Sequence, residues 1–445
     1  MSHSFKPTHK NLHFDSLVQS LRSAIASFPD SRYGNNTRYS MLDAGMAAFS
    51  IFFAQSPSWL DFQRTLQEAQ GKNNAETWFG VSQIPSDNHI RSLLDEVPPS
   101  ELSPVFAFVA DALYDLGQLD PYRTLDGQLL LALDGTQYFS SNSIHCKQCN
   151  VKKHRNGTTT YSHTAITPVI VAPGKPRVIP LAPAFITPQD GHKKQDCENA
   201  AAKRWLDQYG DRYSAWKTTL LGDDLYCKQP LCESILARGL GFILVCKPDS
   251  HKTLYEWLAG IDDSAPVETL CIKRRKGKRS YTDHYRFAIQ VPLRDGDDAL
   301  MVNWCELTTI RDDGKRVYRN AFATNHAITA DNVAEIVSAG RARWKVENEN
   351  NNTLKTKGYH LSHNFGHGKQ HLATVLATLN LLAFLFHTVL EMMDSKFRLL
   401  RARLPSRRTF FEHIRALTCY KCFDSFDALI DWMIRNLRTK PPNIR

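Results

Sequence analysis

The chain has 445 residues, of which 42% are hydrophobic and 22% charged, close to the globular averages of about 45–50% and about 25%. This excludes a disordered chain or one small domain and points to two to four packed units. Lys plus Arg exceeds Asp plus Glu by 10, an excess that favours a polyanionic partner. The ten cysteines are scattered and no charged-then-apolar leader opens Met1 to Lys10, so the expected setting is a reducing cytoplasm without a disulfide framework.

From Asn11 to about Leu125 apolar residues recur at helical spacing, notably over Met41 to Phe49 and Val105 to Leu116, which predicts an all-helical first unit. Within it, Ser86 or Asp87 offers an N-cap and Arg91 falls in an early turn. That is the pattern of a helix able to enter a DNA groove, and equally of an ordinary capped surface helix.

At Gln128 the period becomes extended. Leu129 to Leu133 is an apolar run ending on Asp134-Gly135-Thr136, which reads as a buried strand. Thr159 to Val171 and Arg177 to Ile186 follow, separated by Pro173-Gly174, and predict a three-strand meander with the first run. Then come a helix from about Gln195 to Tyr209, a strand Thr218 to Gly222 ending on Asp223-Asp224, a helix Pro230 to Arg238 and a strand Phe242 to Cys246. Val267 to Thr324 is strand-like and turn-punctuated, a β-rich insertion, and a helix is predicted from about Asp331 past Glu347. Leu372 to Leu390 approaches membrane length but carries Thr374, Thr378, Asn380, His387 and Thr388, which favours a buried core helix over a membrane span. Residues 396–445 carry a net charge of +8.

Asp134 ends the first strand, Asp223 ends the fourth, and Glu347 lies on the late helix. In open α/β sheets reacting groups gather at strand C-terminal ends. Paired divalent cations about 3.5–4 Å apart need bridging carboxylates, because hard Mg²⁺ prefers oxygen and phosphoryl transfer develops negative charge on both entering and leaving oxygens. Taken singly, Asp134-Gly135 reads as a turn, Asp223-Asp224 as a capping pair and Glu347 as a solvated glutamate.

Leu133-Asp134-Gly135-Thr136, Leu221-Gly222-Asp223-Asp224-Leu225-Tyr226 and Arg343-Trp344-Lys345-Val346-Glu347 with Lys355 downstream together resemble the insertion-sequence transposases of the DDE type, over roughly residues 125–390. The resemblance implies an α/β fold: an RNase H-like catalytic core, a mixed sheet flanked by helices, with a β-strand insertion between the second and third acids. The corresponding division is a helical DNA-binding domain at 1–125, the first part of the core at 126–250, the β-rich insertion at 251–328, the last core helices at 329–395 and a basic helical region at 396–445.

It further implies Asp134, Asp223 and Glu347 as catalytic ligands of two Mg²⁺ ions, with Mn²⁺ as substitute, and Arg343 and Lys355 as contacts to DNA phosphates. The activity implied is cleavage at transposon ends and transfer of the 3′-hydroxyl into target double-stranded DNA, cut-and-paste in type, by a homodimer in a bacterial, nucleoid-associated setting with no membrane. A related metal-dependent nuclease without strand transfer and a catalytically dead DNA-binding regulator are the alternatives.

Two departures stand out: Gly340 occupies the usual tyrosine position, and Lys355 lies one residue past the usual lysine position, held here by Leu354. Asp224 and Glu349 rival Asp223 and Glu347. Asn348, Asn350, Asn351 and Asn352 crowd a predicted helix although asparagine is a poor helix former, so a local distortion is expected there.

Lys273, Arg274, Arg275 and Lys276, with Lys278 and Arg279, place six positive charges in seven residues, a phosphate-binding run or a solvated hairpin tip. Trp257, Tyr281 and Trp304 are candidates for stacking on a flipped base, or core aromatics. Cys146 and Cys149 with His154 and His163 have partial zinc-knuckle spacing, with Cys197 as a further candidate ligand. His360, His363, His367 and His371 recur every three or four residues, but Gly366 and Gly368 break the helix that would align them. No nucleotide-binding GxxxxGK[ST] loop is present.

Overall fold

The computed structural model describes residues 12–33, 37, 39–57, 74–188, 197–260 and 267–437. The first described helices are α1 (Phe14–Ile25), α2 (Met41–Phe53), α3 (Asn74–Phe79), α4 (Asp87–Leu94) and α5 (Ser103–Asp115). Ser40 and Ser86 cap α2 and α4 by accepting from backbone N–H groups of the first turn, satisfying donors that a helix start leaves orphaned.

The chain then enters β1 (Leu129–Ala132) and turns out of it into β2 (Gly135–Ser141), β3 (Asn150–Lys153) and β4 (Thr159–Ile166), returning through β5 (Val169–Val171), β6 (Ile179–Pro180) and β7 (Ala184–Ile186). Helix α6 (Glu198–Ala215) leads to β8 (Thr218–Gly222), α7 (Gln229–Ala237) to β9 (Gly241–Val245), and α8 (Lys252–Ala259) to the long strands β10 (Glu268–Lys276), β11 (Arg279–Pro292), β12 (Met301–Arg311) and β13 (Arg316–Thr324).

The main sheet has nine strands in the order β10-β11-β12-β13-β9-β8-β1-β5-β6. Its centre is parallel, β1 with β8 and β8 with β9, while β5 and β6 run antiparallel on the other side of β1. Every residue of β1, β8 and β9 is buried, which is why these strands read as unbroken apolar runs rather than alternating ones.

The predicted meander is only partly right. β1, β5 and β6 do pair in sequence order, but the stretch 159–171 is two strands in two sheets, because Pro168 has no N–H for a ladder and the chain changes sheet there. β2, β4 and β3 form a second, smaller sheet, with β7 paired to β4. The β-rich segment joins the main sheet through antiparallel pairing of β13 with β9, Phe322 opposite Val245.

The late helix also differs from expectation. It is α9 (Val333–Arg341), then a π-helical turn at Val346–Asn351, then the short α10 (Asn352–Thr356). Next come α11 (Leu372–Met393), α12 (Ser395–Arg403), α13 (Arg407–Tyr420) and α14 (Phe426–Asn436). Among the described residues α11 alone is long and apolar enough to cross a membrane, yet 94% of its apolar window is buried within the protein, so it is a core helix. The N-terminal helices pack against it and against the C-terminal ones: Phe49 meets Phe386 with ring centroids 5.2 Å apart, and Phe14 stacks on Phe426 at 4.4 Å.

Candidate active site

The parallel pairing of β1 and β8 places Ala132 opposite Leu221. Two residues further along lie Asp134 and Asp223, just past the ends of the two strands, so the parallel pairing brings both aspartates to the same C-terminal edge of the sheet. At this edge the chain turns sharply into the second sheet. Thr167 N–H donates to Asp134 O at 3.0 Å, pinning the turn.

Glu347 arrives on the π-helical turn, the distortion expected from the run of asparagines; such bulges concentrate at functional sites. Asn351, one turn beyond Glu347, donates from Nδ2 to Asp134 Oδ2 at 3.1 Å and accepts from Thr167 Oγ1 at 2.7 Å. This buried asparagine fixes the aspartate's orientation. Arg343 donates to Glu347 Oε1 at 2.6 Å. Gly340 has its own physical reason: a Cβ there would lie 2.8 Å from Phe322 and 2.9 Å from Ile243, so only glycine lets α9 settle on the sheet.

Electrostatics unites these groups. Burial first, then the Glu347 carboxylate, push the Asp134 carboxyl up to about 7; Arg343 pulls the other way, while Glu198 and Asp223 add to the rise. Glu198 is a residue the sequence reading missed. It sits in the first turn of α6 and accepts from Tyr226 Oη at 3.1 Å; a Cβ on Gly135 would overlap its carboxyl group, so that glycine admits it. Burial raises the Glu198 carboxyl above its ordinary value. Its sequence signal, an acid opening a helix, does not differ from that of a dipole-complementing residue.

The carboxylates stand apart enough that the groups of three or more ligand atoms within 4.8 Å of one another, among the described residues, are Cys/His clusters. Their donor set nevertheless suits a hard divalent cation: it is all oxygen, and Asp134 carries like-charge repulsion that bound positive charge relieves.

The two rivals are occupied elsewhere. Asp224 accepts from Lys247 N at 2.7 Å and from Ser250, closing the turn after β9. Glu349 lines a separate cavity with Arg177, Glu391 and Arg407. Lys355, in α10, is half-buried; burial pulls its ammonium pKa down while Asp134 opposes this, which places it within electrostatic reach of Asp134 despite its shifted position in the sequence.

Lys273, Arg274, Arg275 and Lys276 all lie on the exposed strand β10, where Arg274 bridges Asp283 at 2.5 Å and stacks over Tyr281. Arg91 pairs with Asp87 at 3.5 Å within α4, and its stem lies against Gly366. Trp304 is 1% exposed and Trp257 packs against the core, so neither is an open stacking platform. Trp344, three residues before Glu347 in the sequence, is exposed.

The candidate zinc ligands are corrected in one member. Cys146, Cys149 and His163 do converge, but the fourth residue is His367, whereas His154 bonds to Thr160 Oγ1 at 2.8 Å. Of the four recurring histidines only His367 joins the cluster, and Cys197 lies outside it. Comparison with protein-family models finds no match, and comparison with curated proteins finds none either.

Proposed function

We propose that this chain is a DDE-type DNA transposase, acting as a homodimer on double-stranded DNA, with an RNase H-like core. The observation that carries the reading is Asp134: it ends the central strand and is acted on by Glu347, Glu198 and Asp223 from three other chain segments. Support comes from the strand order. β6-β5-β1-β8-β9, antiparallel on one side of β1 and parallel on the other, is the arrangement such a core requires, and β10 to β13 stand where the insertion of that family would fall.

Asp134, Asp223 and Glu347 are the residues that would hold Mg²⁺, which when bound offsets charge on the entering and leaving oxygens of a phosphodiester. Asn351 keeps Asp134 in one orientation. Arg343 and Lys355 flank the acids and neutralise a DNA phosphate drawn towards them. The exposed cations of β10 hold the duplex by its backbone.

The test is incubation of the purified chain with Mg²⁺ or Mn²⁺ and DNA carrying the sequences that flank its gene. Cleaved ends joined to a target plasmid are expected. Cleavage without joining would make it a nuclease, and metal-independent binding without cleavage a regulator; either overturns the proposal.

A further inference from the structure

We propose that Cys146, Cys149, His163 and His367 hold one structural Zn²⁺ in a tetrahedral site that clasps the two chain segments bearing Asp134 and Glu347. The inference does not depend on the transposase reading, and its test makes no use of DNA.

Cys146 and Cys149 lie in the turn between β2 and β3, and His163 points from β4 of the same small sheet. His367 comes from the segment between α10 and α11, 218 residues after Cys149. Cys149 and His163 are buried at 1% exposure and His367 at 9%.

The distances suit zinc. Zn–S bonds of about 2.3 Å and Zn–N bonds of about 2.0–2.1 Å at tetrahedral angles require S···S near ~3.8 Å and S···N near ~3.5 Å. The two sulfurs are 3.9 Å apart; Cys146 Sγ to His163 Nε2 is 3.4 Å, Cys149 Sγ to His163 Nε2 3.5 Å and Cys149 Sγ to His367 Nε2 3.4 Å. Both imidazoles present Nε2, and all four ligand atoms lie within 4.8 Å of one another.

Without a cation this would be an awkward core. Four lone-pair-bearing atoms face one another, with weak thiol donors to serve them, where a buried polar group lacking a good partner costs about 1–3 kcal/mol. Two thiolates and two neutral imidazoles around Zn²⁺ satisfy all four at once. The closed two-sulfur, two-nitrogen set is that of a structural zinc rather than a catalytic one, which keeps an open position.

The clasp has a mechanical meaning. β2 begins at Gly135, directly after Asp134, and β4 ends one residue before Thr167, whose hydroxyl holds Asn351. The segment carrying His367 follows α10 and the π-helical turn of Glu347. A zinc at this point fixes the spacing of two acids that are distant in sequence.

The experiment is elemental analysis of the untagged full chain purified from zinc-supplemented cells, followed by Co²⁺ replacement. About one zinc per chain is expected, with the visible bands of tetrahedral cobalt and a sulfur-to-cobalt charge-transfer band. C146S, C149S and H367A should each lose the bound metal or the tetrahedral spectrum, whereas H154A should retain both. The cluster Cys227, Cys246 and His251 is the internal control: C227S should not change the cobalt spectrum. Wild-type chain without zinc that also gives no tetrahedral cobalt spectrum overturns the proposal, whatever the variants do. So does a Cys146–Cys149 disulfide in protein purified under reducing conditions, or metal lost with His154 but kept without His367.

Discussion

Two acids in this molecule, one buried and one half-buried, have met opposite fates. Glu391, on α11, is surrounded by arginines: Arg407 at 3.0 Å, Arg401 at 3.1 Å and Arg177 at 3.4 Å. Burial alone would push its carboxyl up, but Arg407 and Arg401 hold it below its ordinary value. Asp134 has carboxylates for neighbours and is pushed up to about 7. A charge that its own chain has neutralised ties helices together; Asp134, which Arg343 offsets only in part, has the surroundings expected of the metal-holding role proposed for it.

The strongest way to break this comparison is D134N. Strand transfer should fall about 10³-fold or more, while the fold survives, because the substitution removes repulsion rather than a partner. The pH dependence follows from linkage. Folded Asp134 keeps its proton up to about 7, whereas the unfolded group loses it near 3.8. Wild-type stability therefore declines across that interval relative to D134N, by about 1–4 kcal/mol, and the gap is constant above it. Urea midpoints for both proteins between pH 4 and 8 check this; a difference that stays flat would show Asp134 to be an ordinary solvated acid.

E391Q should do the reverse. It leaves Arg401 and Arg407 without their counter-charge in a buried place and should cost about 3–5 kcal/mol near neutrality. The Glu391 carboxyl is depressed from 4.5, so its contribution is fully present above that value and is lost as pH falls through the lowered one. The wild-type advantage over E391Q should shrink on acidification, the opposite trend to D134N, as urea midpoints will show.

How much of this contrast could be read from sequence depends on range. β1, β8 and β9 declared themselves as apolar runs, and the aspartates ending β1 and β8 followed from that reading. The asparagines of 348–352 foretold a distortion, which is the π-helical turn. By contrast the sheet change at Thr167-Pro168 hid inside one β-like stretch, Glu198 was invisible as a site residue, and His367 stood out only as one of four spaced histidines, because their partners lie far along the chain. Likewise residues 396–445 carry a basic excess, yet two of its cations, Arg401 and Arg407, point inward to Glu391. Composition counts charges but cannot say which have found partners.

The same distinction holds for cations and gives a smaller effect. On β10, Arg274 is bridged to Asp283, whereas Lys273, Arg275 and Lys276 are exposed. Reversing those three to glutamate should weaken DNA binding and reduce the steepness of log K against log salt by about 3. Alanine at Arg274 should change that slope by less than any one of the three. Fluorescence anisotropy at several salt concentrations separates these outcomes; an unchanged slope in the triple variant would take β10 off the DNA.

The smallest expected effect concerns a third way of settling a carboxylate. Asp95 accepts backbone N–H bonds from Lys369 at 2.8 Å, Gln370 at 3.0 Å, His371 at 3.1 Å and Leu372 at 3.0 Å, and so caps α11 from another part of the chain. It is held by orphan donors at the positive end of a helix. D95A should cost about 1–2 kcal/mol, and D95N less, because the amide oxygen still caps while the charge is gone. A Cβ on Gly368, whose φ is +66°, would overlap the Asp95 carboxylate, so G368A should weaken the same cap and combine less than additively with D95A. Paired with D134N, which shares no partner with it, D95A should add within about 0.5 kcal/mol. A larger coupling would mean that α11 and the acidic pocket respond as one unit, and that the settled and unsettled acids are less separate than their surroundings imply.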